Sequence, residues 1–340
     1  MRPNTKIVIA SFTLLLASLA CVTLMGEDLP ETQSPILPVP EQILTEVSVT
    51  QEAVSCPIIT DQIIALAVSG GEEMKEDLLD TEVTLVTYTI SGDELINPFY
   101  TTVSSNLQTE QDDTQTHQKI WDYFRAIIPS DQRSVISEYA IITDGQGGTL
   151  ASVSQTYSDP DLWSLQVDIA DTANYYDLTY TLVHEFGHLL TLGPNQVPPS
   201  LAVFNNPEDD NIYLDEVSAC PNYFPGEGCA KVDSYINSYY NQFWVDIYDE
   251  WNEINLEEDE DAYYDKLDAF YFKYSDQFAT SYAATNPEED IAEAWAFFVF
   301  SPKPTGGTIA EEKILFFYQY PELVELRANI LANMCVSFPK

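Results

Sequence analysis

Alternating apolar and polar positions predict a small β-sheet in the first half of the chain. Three segments show this period-two pattern: Glu82 to Ile90, Ser134 to Thr143, and Trp163 to Ile169. The last is the clearest, because Trp163, Leu165, Val167 and Ile169 occupy every second position. β-Branched and aromatic side chains that alternate in this way are typical of strands with one buried face.

A period close to 3.6 replaces the alternation elsewhere and predicts helices. Residues 112–128 carry apolar positions at helical spacing, and Pro129 ends them. A stronger helical pattern runs from Leu178 to Leu190, with Asn174 or Asp177 as its N-cap and Gly193 as its end. Helical patterns dominate the remainder, interrupted by a Pro- and acid-rich insertion over residues 194–231. The predicted class is α+β, with a small N-terminal β-sheet lobe and a mainly helical C-terminal lobe.

The net charge of the chain narrows the range of partners. Its 340 residues are 45% hydrophobic, so they can bury a substantial core, yet 55 acidic residues against 13 basic ones give a charge of −42. Phosphate backbones and anionic lipid surfaces repel such a protein. We therefore expect no nucleic-acid partner, and membrane attachment only through the N-terminus.

Residues 1–26 predict an export signal. Arg2 and Lys6 precede an apolar run from Ile7 to Ala20, and Cys21 follows it. The segment resembles a bacterial lipoprotein signal that ends at Cys21, although Ser18 stands where such signals usually carry leucine. Three outcomes stay open: a lipid anchor on Cys21, cleavage after Ala20 with secretion, or an uncut membrane anchor. In each case we expect an extracytoplasmic protein.

The next segment, residues 27–57, predicts a tether. It contains Pro30, Pro35, Pro38 and Pro40 among acidic and small residues, a composition that resists packing. The folded domain is therefore predicted to cover residues 58–340.

The cysteine count predicts two disulfides. Without Cys21, an even number remains, and an exported protein meets an oxidising environment. Cys220 and Cys229 flank a short Pro- and Gly-rich loop, which makes them the expected pair. Cys56 and Cys335 would then join the two ends of the domain.

The chemistry of the chain centres on His184-Glu185-Phe186-Gly187-His188, an H-E-x-x-H pattern. Residues four apart share a helical face, so His184 and His188 can bind one metal ion, for which Zn²⁺ is the expected choice. Glu185 lies about 100° around the helix and is the expected general base. The chain has only three histidines, and we expect the third, His117, to be a packed residue without a ligand role.

A catalytic zinc site needs a third protein ligand, and with the histidines used it should be a carboxylate. Glu289 and Glu293 lie four apart on a predicted helix that Asn286 can cap and Pro287 can open. The spacing leaves two assignments open. Glu289 is also three residues after Asn286, where a capping-box glutamate would serve the helix start and leave Glu293 to bind metal.

These two helices together resemble the gluzincin branch of zinc peptidases, which includes thermolysin-like and neprilysin-like enzymes and the anthrax lethal factor catalytic domain. The resemblance covers residues 177–193 and about 282–298 only. It implies a zincin-like fold in which Glu289 is the third zinc ligand and Glu293 orients a ligating histidine. It also implies that Tyr282, just upstream, stabilises the oxyanion.

We therefore expect an exported zinc metallopeptidase that acts on protein or peptide substrates, with Glu185 activating the water. A sheet edge near the site would hold an extended peptide by strand addition. Two other interpretations stay open: a non-catalytic zinc-binding surface or adhesion module, and a zinc hydrolase acting on a non-peptide bond.

Overall fold

The computed structural model of the protein describes residues 56–69, 82–146, 148–257 and 259–339. The predicted export signal, residues 1–26, and all but the last two residues of the predicted tether lie outside these ranges. The described chain begins at Cys56, and its first helix begins at Pro57, beside the predicted domain boundary.

A five-stranded sheet forms the first half of the described fold. Its strands are β1 (Val83–Ser91), β2 (Glu94–Tyr100), β3 (Ile136–Thr143), β4 (Ala151–Gln155) and β5 (Trp163–Asp168). The order across the sheet is β2-β1-β3-β5-β4. Strands β3 and β5 are parallel, and the other neighbouring pairs are antiparallel. Strands β2 and β4 are therefore the two edges.

The three predicted strands are confirmed as β1, β3 and β5. The two edge strands were missed, because their sequences carry little of the alternating signal. Strand β2 contains Pro98 and is largely exposed, and β4 consists mainly of small and polar residues. Strand β5 lies inside the sheet and is buried along almost its whole length, which explains its dense apolar pattern.

Twelve α-helices complete the described part of the chain, so the predicted α+β class is confirmed. They are α1 (Pro57–Ser69), α2 (Gln108–Asp112), α3 (Thr114–Ile127), α4 (Tyr175–Leu192), α5 (Leu201–Phe204), α6 (Asp210–Ala219), α7 (Tyr235–Phe243), α8 (Tyr248–Ile254), α9 (Glu260–Lys273), α10 (Pro287–Phe300), α11 (Ile309–Phe317) and α12 (Pro321–Ser337). Helices α5 and α6 occupy the Pro- and acid-rich insertion. None of the helices in the described ranges is long and apolar enough to cross a membrane.

Helices α4 and α10 cross at the centre of the fold. Gly187 of α4 makes the crossing close: a Cβ at this position would lie 2.9 Å from Cδ1 of Trp295 and 3.2 Å from Cα of Ala292, both on α10. Both helices are buried along most of their length. The side chains that point from one helix toward the other are consequently held at short range in a dense core.

Helix α10 is fixed on its other side by a buried ion pair. Lys313 Nζ lies 2.6 Å from Asp290 Oδ2, and both side chains are almost fully buried. The indole N–H of Trp244 donates to the same carboxylate at 2.7 Å. Removing one partner of such a pair leaves a buried charge uncompensated, so the pair fixes the rotation of α10 about its axis.

Both predicted disulfides are present. Cys56–Cys335 joins the start of α1 to α12, with Cα atoms 5.7 Å apart. Cys220–Cys229 closes the short loop after α6, with Cα atoms 5.4 Å apart. Two disulfides are consistent with an extracytoplasmic protein.

His117 is fully buried on α3, as predicted for a packed histidine. Its Nε2 lies 2.9 Å from the carbonyl oxygen of Glu110, which can only accept, so this nitrogen carries the proton. Nδ1 then accepts from the Tyr88 hydroxyl at 2.9 Å. Both ring nitrogens are used in the core, and burial lowers the pKa of His117.

Candidate metal centre

The two motif histidines meet on the buried face of α4. Asn174 begins this helix by accepting a hydrogen bond from the backbone N–H of Tyr176, and Gly193 ends it, as the sequence predicts. The Nε2 atoms of His184 and His188 lie 3.1 Å apart. Both side chains are buried, so their ring nitrogens depend on protein atoms or a bound ion for partners.

Glu289 of α10 brings a third donor atom to the same point. Its Oε2 lies 3.0 Å from Nε2 of His184 and 3.3 Å from Nε2 of His188. Asn286 caps α10 by accepting from the backbone N–H of Glu289, while the Glu289 side chain turns toward the histidines. Glu289 therefore does not form the reciprocal capping-box bond that the sequence left open.

Glu293, one turn further along α10, contacts the opposite nitrogen of His184. Its Oε1 lies 3.0 Å from Nδ1, and because a carboxylate only accepts, Nδ1 must donate. The Tyr180 hydroxyl donates to the same oxygen at 2.7 Å, and the Thr280 hydroxyl donates to Oε2 at 2.5 Å. Glu293 is 3% exposed and is held by all three donors, so it fixes the orientation of the His184 ring.

The donor set fits a zinc ion. When Nδ1 of His184 carries the proton, its Nε2 has a free lone pair. This lone pair, that of His188 Nε2 and that of Glu289 Oε2 then face one another at distances of 3.0 to 3.3 Å. A tetrahedral ion with bonds of about 2.0 to 2.1 Å places its ligand atoms roughly 3.3 Å apart. Two histidine nitrogens and one carboxylate oxygen are a set that catalytic zinc sites use.

A proton competes for the same position in the metal-free chain. Burial alone lowers the pKa of His184, but hydrogen bonds to Glu289 and Glu293 and their negative charges raise it well above its ordinary value. One proton can form a hydrogen bond between only two of the three converging atoms. A metal cation placed between them can bind all three.

Glu185 lies beside this donor set on the same helix. A carboxylate oxygen and one nitrogen from each motif histidine lie within 4.8 Å of one another. Burial raises the pKa of Glu185, and the neighbouring histidines oppose that shift. Its carboxylate also accepts from the backbone N–H of Val153, which ties the edge strand β4 to the site.

Tyr282 lies beside the centre and is partly exposed to solvent. It belongs to a short 3₁₀ turn, Tyr282–Ala284, and its ring centroid lies 5.9 Å from that of His184. The side chain is 53% exposed. Partial desolvation and the carboxylates of Glu289 and Glu185 raise the pKa of Tyr282, so its hydroxyl keeps its proton.

The fold thus brings together all six residues singled out in the sequence: His184, Glu185, His188, Glu289, Glu293 and Tyr282. Sequence reasoning missed Tyr180 and Thr280, the two further hydrogen-bond donors to Glu293. Tyr180 stands four residues before His184 on the same helical face, a spacing that could have identified it. Thr280 lies in a loop, and its sequence context carries no comparable signal.

A large cavity opens next to the centre. It has a volume of about 710 Å³, and Tyr282 and Glu288 form part of its wall. Much of the remaining wall is aromatic: Tyr213, Tyr240, Tyr248, Trp251, Tyr263 and Tyr264. We call it the aromatic cavity. The neighbouring Tyr239 and Phe243, by contrast, are buried in the core.

Two buried carboxyl groups, those of Glu288 and Glu227, interact electrostatically with each other near the centre. Burial raises the pKa of Glu288 to about 8, and the charge of Glu227 adds to the shift. Burial likewise raises the pKa of Glu227 to about 7, although the nearby His188 opposes it. The Tyr223 hydroxyl donates to Glu288 Oε1 at 2.7 Å.

A second acidic cluster lies where β3 and β5 end. Oxygens of Asp144, Asp168 and Asp171 lie within 4.8 Å of one another. Asp168 is fully buried and accepts from the backbone N–H groups of Asp144 and Ala170, both at 2.7 Å. This carboxylate joins the turn after β3 to the start of the segment that leads into α4.

Comparison with known proteins gives no family for this chain: no protein-family model, no curated protein and no solved structure matches it. The geometry of the centre is therefore the basis for inferring the function of this chain.

Proposed function

We propose that the protein is an exported zinc-dependent peptidase of zincin-like architecture. The observation that carries the proposal is the convergence of two imidazole nitrogens and one carboxylate oxygen at 3.0 to 3.3 Å, with a second, buried carboxylate beside them. His184, His188 and Glu289 would hold the zinc. Glu293 would orient His184.

Zinc in such a site lowers the pKa of a bound water and polarises a carbonyl oxygen. Glu185 accepts the proton of the attacking water, and its burial raises the pKa of its carboxyl group above the ordinary value. It then returns that proton to the leaving amine. Tyr282 donates its hydroxyl proton in a hydrogen bond to the substrate oxygen as negative charge develops there.

The edge strand β4 supports a peptide as the substrate. Its outer edge faces away from β5, and Val153 on this strand contacts Glu185 directly. An extended peptide that adds to such an edge places its backbone carbonyls in register beside the catalytic carboxylate. Such an edge is suited to hold an unfolded or flexible chain.

The test pairs metal analysis with cleavage of a mixed peptide library whose cut bonds are mapped. Glu185→Gln should keep zinc and fold, because the amide is isosteric, while turnover falls by about 10² to 10⁴-fold. A chelator should abolish the wild-type activity, and added zinc should restore it. The exposed Glu312 on α11 supplies the matched control, since Glu312→Gln changes the same group away from the centre.

Three outcomes would overturn the proposal. A Glu185→Gln protein with wild-type activity would remove the general base. A zinc-loaded protein that cleaves no peptide would favour the non-catalytic binding module. Turnover of an ester or sugar substrate without peptide cleavage would favour a hydrolase of another bond.

A further inference from the structure

The aromatic cavity lies where the side chain of a bound substrate would enter. Tyr282 forms part of its wall, and the ring of this tyrosine lies 5.9 Å from that of His184. Glu288, also on the wall, directly precedes Glu289 on α10. A peptide whose backbone crosses the metal centre therefore has a side chain within reach of the cavity.

The walls of the cavity select for positive charge. None of the described residues that line it is a lysine or arginine, and the single carboxyl group on its wall is that of Glu288. The aromatic rings present negative π-faces, which attract ammonium and guanidinium groups. The aliphatic stems of lysine and arginine pack against the same rings.

An unsatisfied acceptor lies behind Glu288. Oε2 of Glu227 is buried and has no hydrogen-bond partner among the described residues. Glu227 interacts electrostatically with Glu288 on the cavity wall and with His188 of the metal centre. The wall at Glu288 therefore has a second carboxyl group close behind it.

Size and charge favour one class of occupant. A volume of about 710 Å³ exceeds the space that one side chain needs, so the cavity can take a long side chain together with part of the adjoining peptide. A neutral apolar side chain would form no bond to the Glu288 carboxyl group, and an acidic one would be repelled. A long cationic side chain can pair with this carboxyl group and pack against the rings at the same time.

We infer that the aromatic cavity is a specificity pocket for a lysine or arginine side chain of the substrate. The inference rests on the proposed peptidase function, and it names the substrate class of the same centre. The net charge of −42 agrees with it, because an acidic protein attracts basic peptides over long range.

The first experiment measures binding and needs no turnover. The zinc-loaded Glu185→Gln protein is titrated with N-acetyl-lysine methylamide and with its uncharged analogue N-acetyl-norleucine methylamide. Binding is followed by calorimetry and by tryptophan fluorescence, to which Trp251 on the cavity wall contributes. The lysine probe should bind at least about tenfold more tightly, and raised salt should reduce the difference. Adding Glu288→Gln, which removes the carboxyl group on the wall, should reduce the preference. So should Tyr264→Leu, a separate change at a half-exposed wall residue that keeps apolar bulk.

The second experiment measures kcat/KM of the zinc-loaded wild-type protein on peptides that differ at one position, carrying lysine, arginine, norleucine or glutamate. Basic side chains should be preferred by at least about tenfold over norleucine at one position next to the cut bond. Cleavage without this preference would overturn the inference and leave the peptidase intact. Selective lysine binding without any cleavage would keep the pocket and overturn the peptidase. Equal binding of the lysine and norleucine probes would show that the pocket is merely apolar.

Discussion

Removing the carboxylate of Glu289 should weaken zinc binding more than removing that of Glu293, although the two residues are one helical turn apart. Oε2 of Glu289 faces the Nε2 atoms of both histidines at 3.0 and 3.3 Å. Oε1 of Glu293 faces Nδ1 of His184, which already carries a proton. The first carboxylate is thus placed to bind the ion, and the second is placed to hold a ligand.

The expected magnitudes differ by about tenfold. Zinc sites with four protein ligands bind with roughly 10 to 16 kcal/mol, so one ligand contributes about 2.5 to 4 kcal/mol, or 10² to 10³-fold in Kd. Losing a hydrogen-bond partner of a ligand costs about 10 to 100-fold. We expect Glu289→Ala to lose most of its zinc at neutral pH. Glu293→Ala should keep a weakened site in which the His184 ring is less constrained.

The measurement is the zinc dissociation constant of each variant, obtained by competition with a chromophoric chelator. Circular dichroism of the metal-free proteins establishes that each variant is folded. Glu312→Ala, which removes an exposed carboxylate from α11, is the matched control and should bind zinc like the wild type. If Glu289→Ala holds zinc as tightly as Glu293→Ala, or more tightly, the assignment of the two glutamates is reversed.

Three further predictions concern the frame around the centre. Gly187→Ala should destabilise the protein by about 1 to 3 kcal/mol, because the new methyl would lie 2.9 Å from the fully buried Trp295; an unchanged denaturation midpoint would contradict the close crossing of α4 and α10. Replacing Cys56 and Cys335 together by serine should lower stability by about 3 to 5 kcal/mol in chemical denaturation, because the bond spans 279 residues; a change below about 1 kcal/mol would mean that the ends are held by other contacts. Burial raises the pKa of Asp168 to about 7, so between about pH 4 and 7 the folded state keeps a proton that the unfolded state has lost. Stability in metal-free buffer should therefore fall as the pH rises through that range, by at most about 4 kcal/mol from this group. Asp168→Asn should flatten the slope, and an unchanged slope would refute this account.

The hydrophobic period and the spacing of residues along the sequence were enough to predict the α+β class and the histidine pair. Strands β1, β3 and β5 and helices α3 and α4 were predicted from hydrophobic period, because one face of each is buried and neighbouring positions therefore alternate in polarity. His184, Glu185 and His188 were predicted because helical geometry fixes where residues one and four positions apart must point. The cysteine count, together with one short loop, predicted both disulfides, which the structure contains.

The tertiary structure decided everything that depends on contacts between distant segments. Roughly 100 residues separate His188 from Glu289, and the sequence allowed either Glu289 or Glu293 to face the histidines. The close crossing at Gly187 and the buried pair of Asp290 with Lys313 set the rotation of α10, which turns Glu289 toward Nε2 and Glu293 toward Nδ1.

The edge strand β4, the supporting hydroxyl of Thr280 and the aromatic cavity also became visible only in three dimensions. Strand β4 is defined by hydrogen bonds to β5, and its own side chains carry no strong pattern. The aromatic cavity is formed by residues from separate helices and loops that are far apart in the sequence. Periodicity shows that a side chain faces inward, but only packing between elements determines whether it meets another side chain or borders an open space.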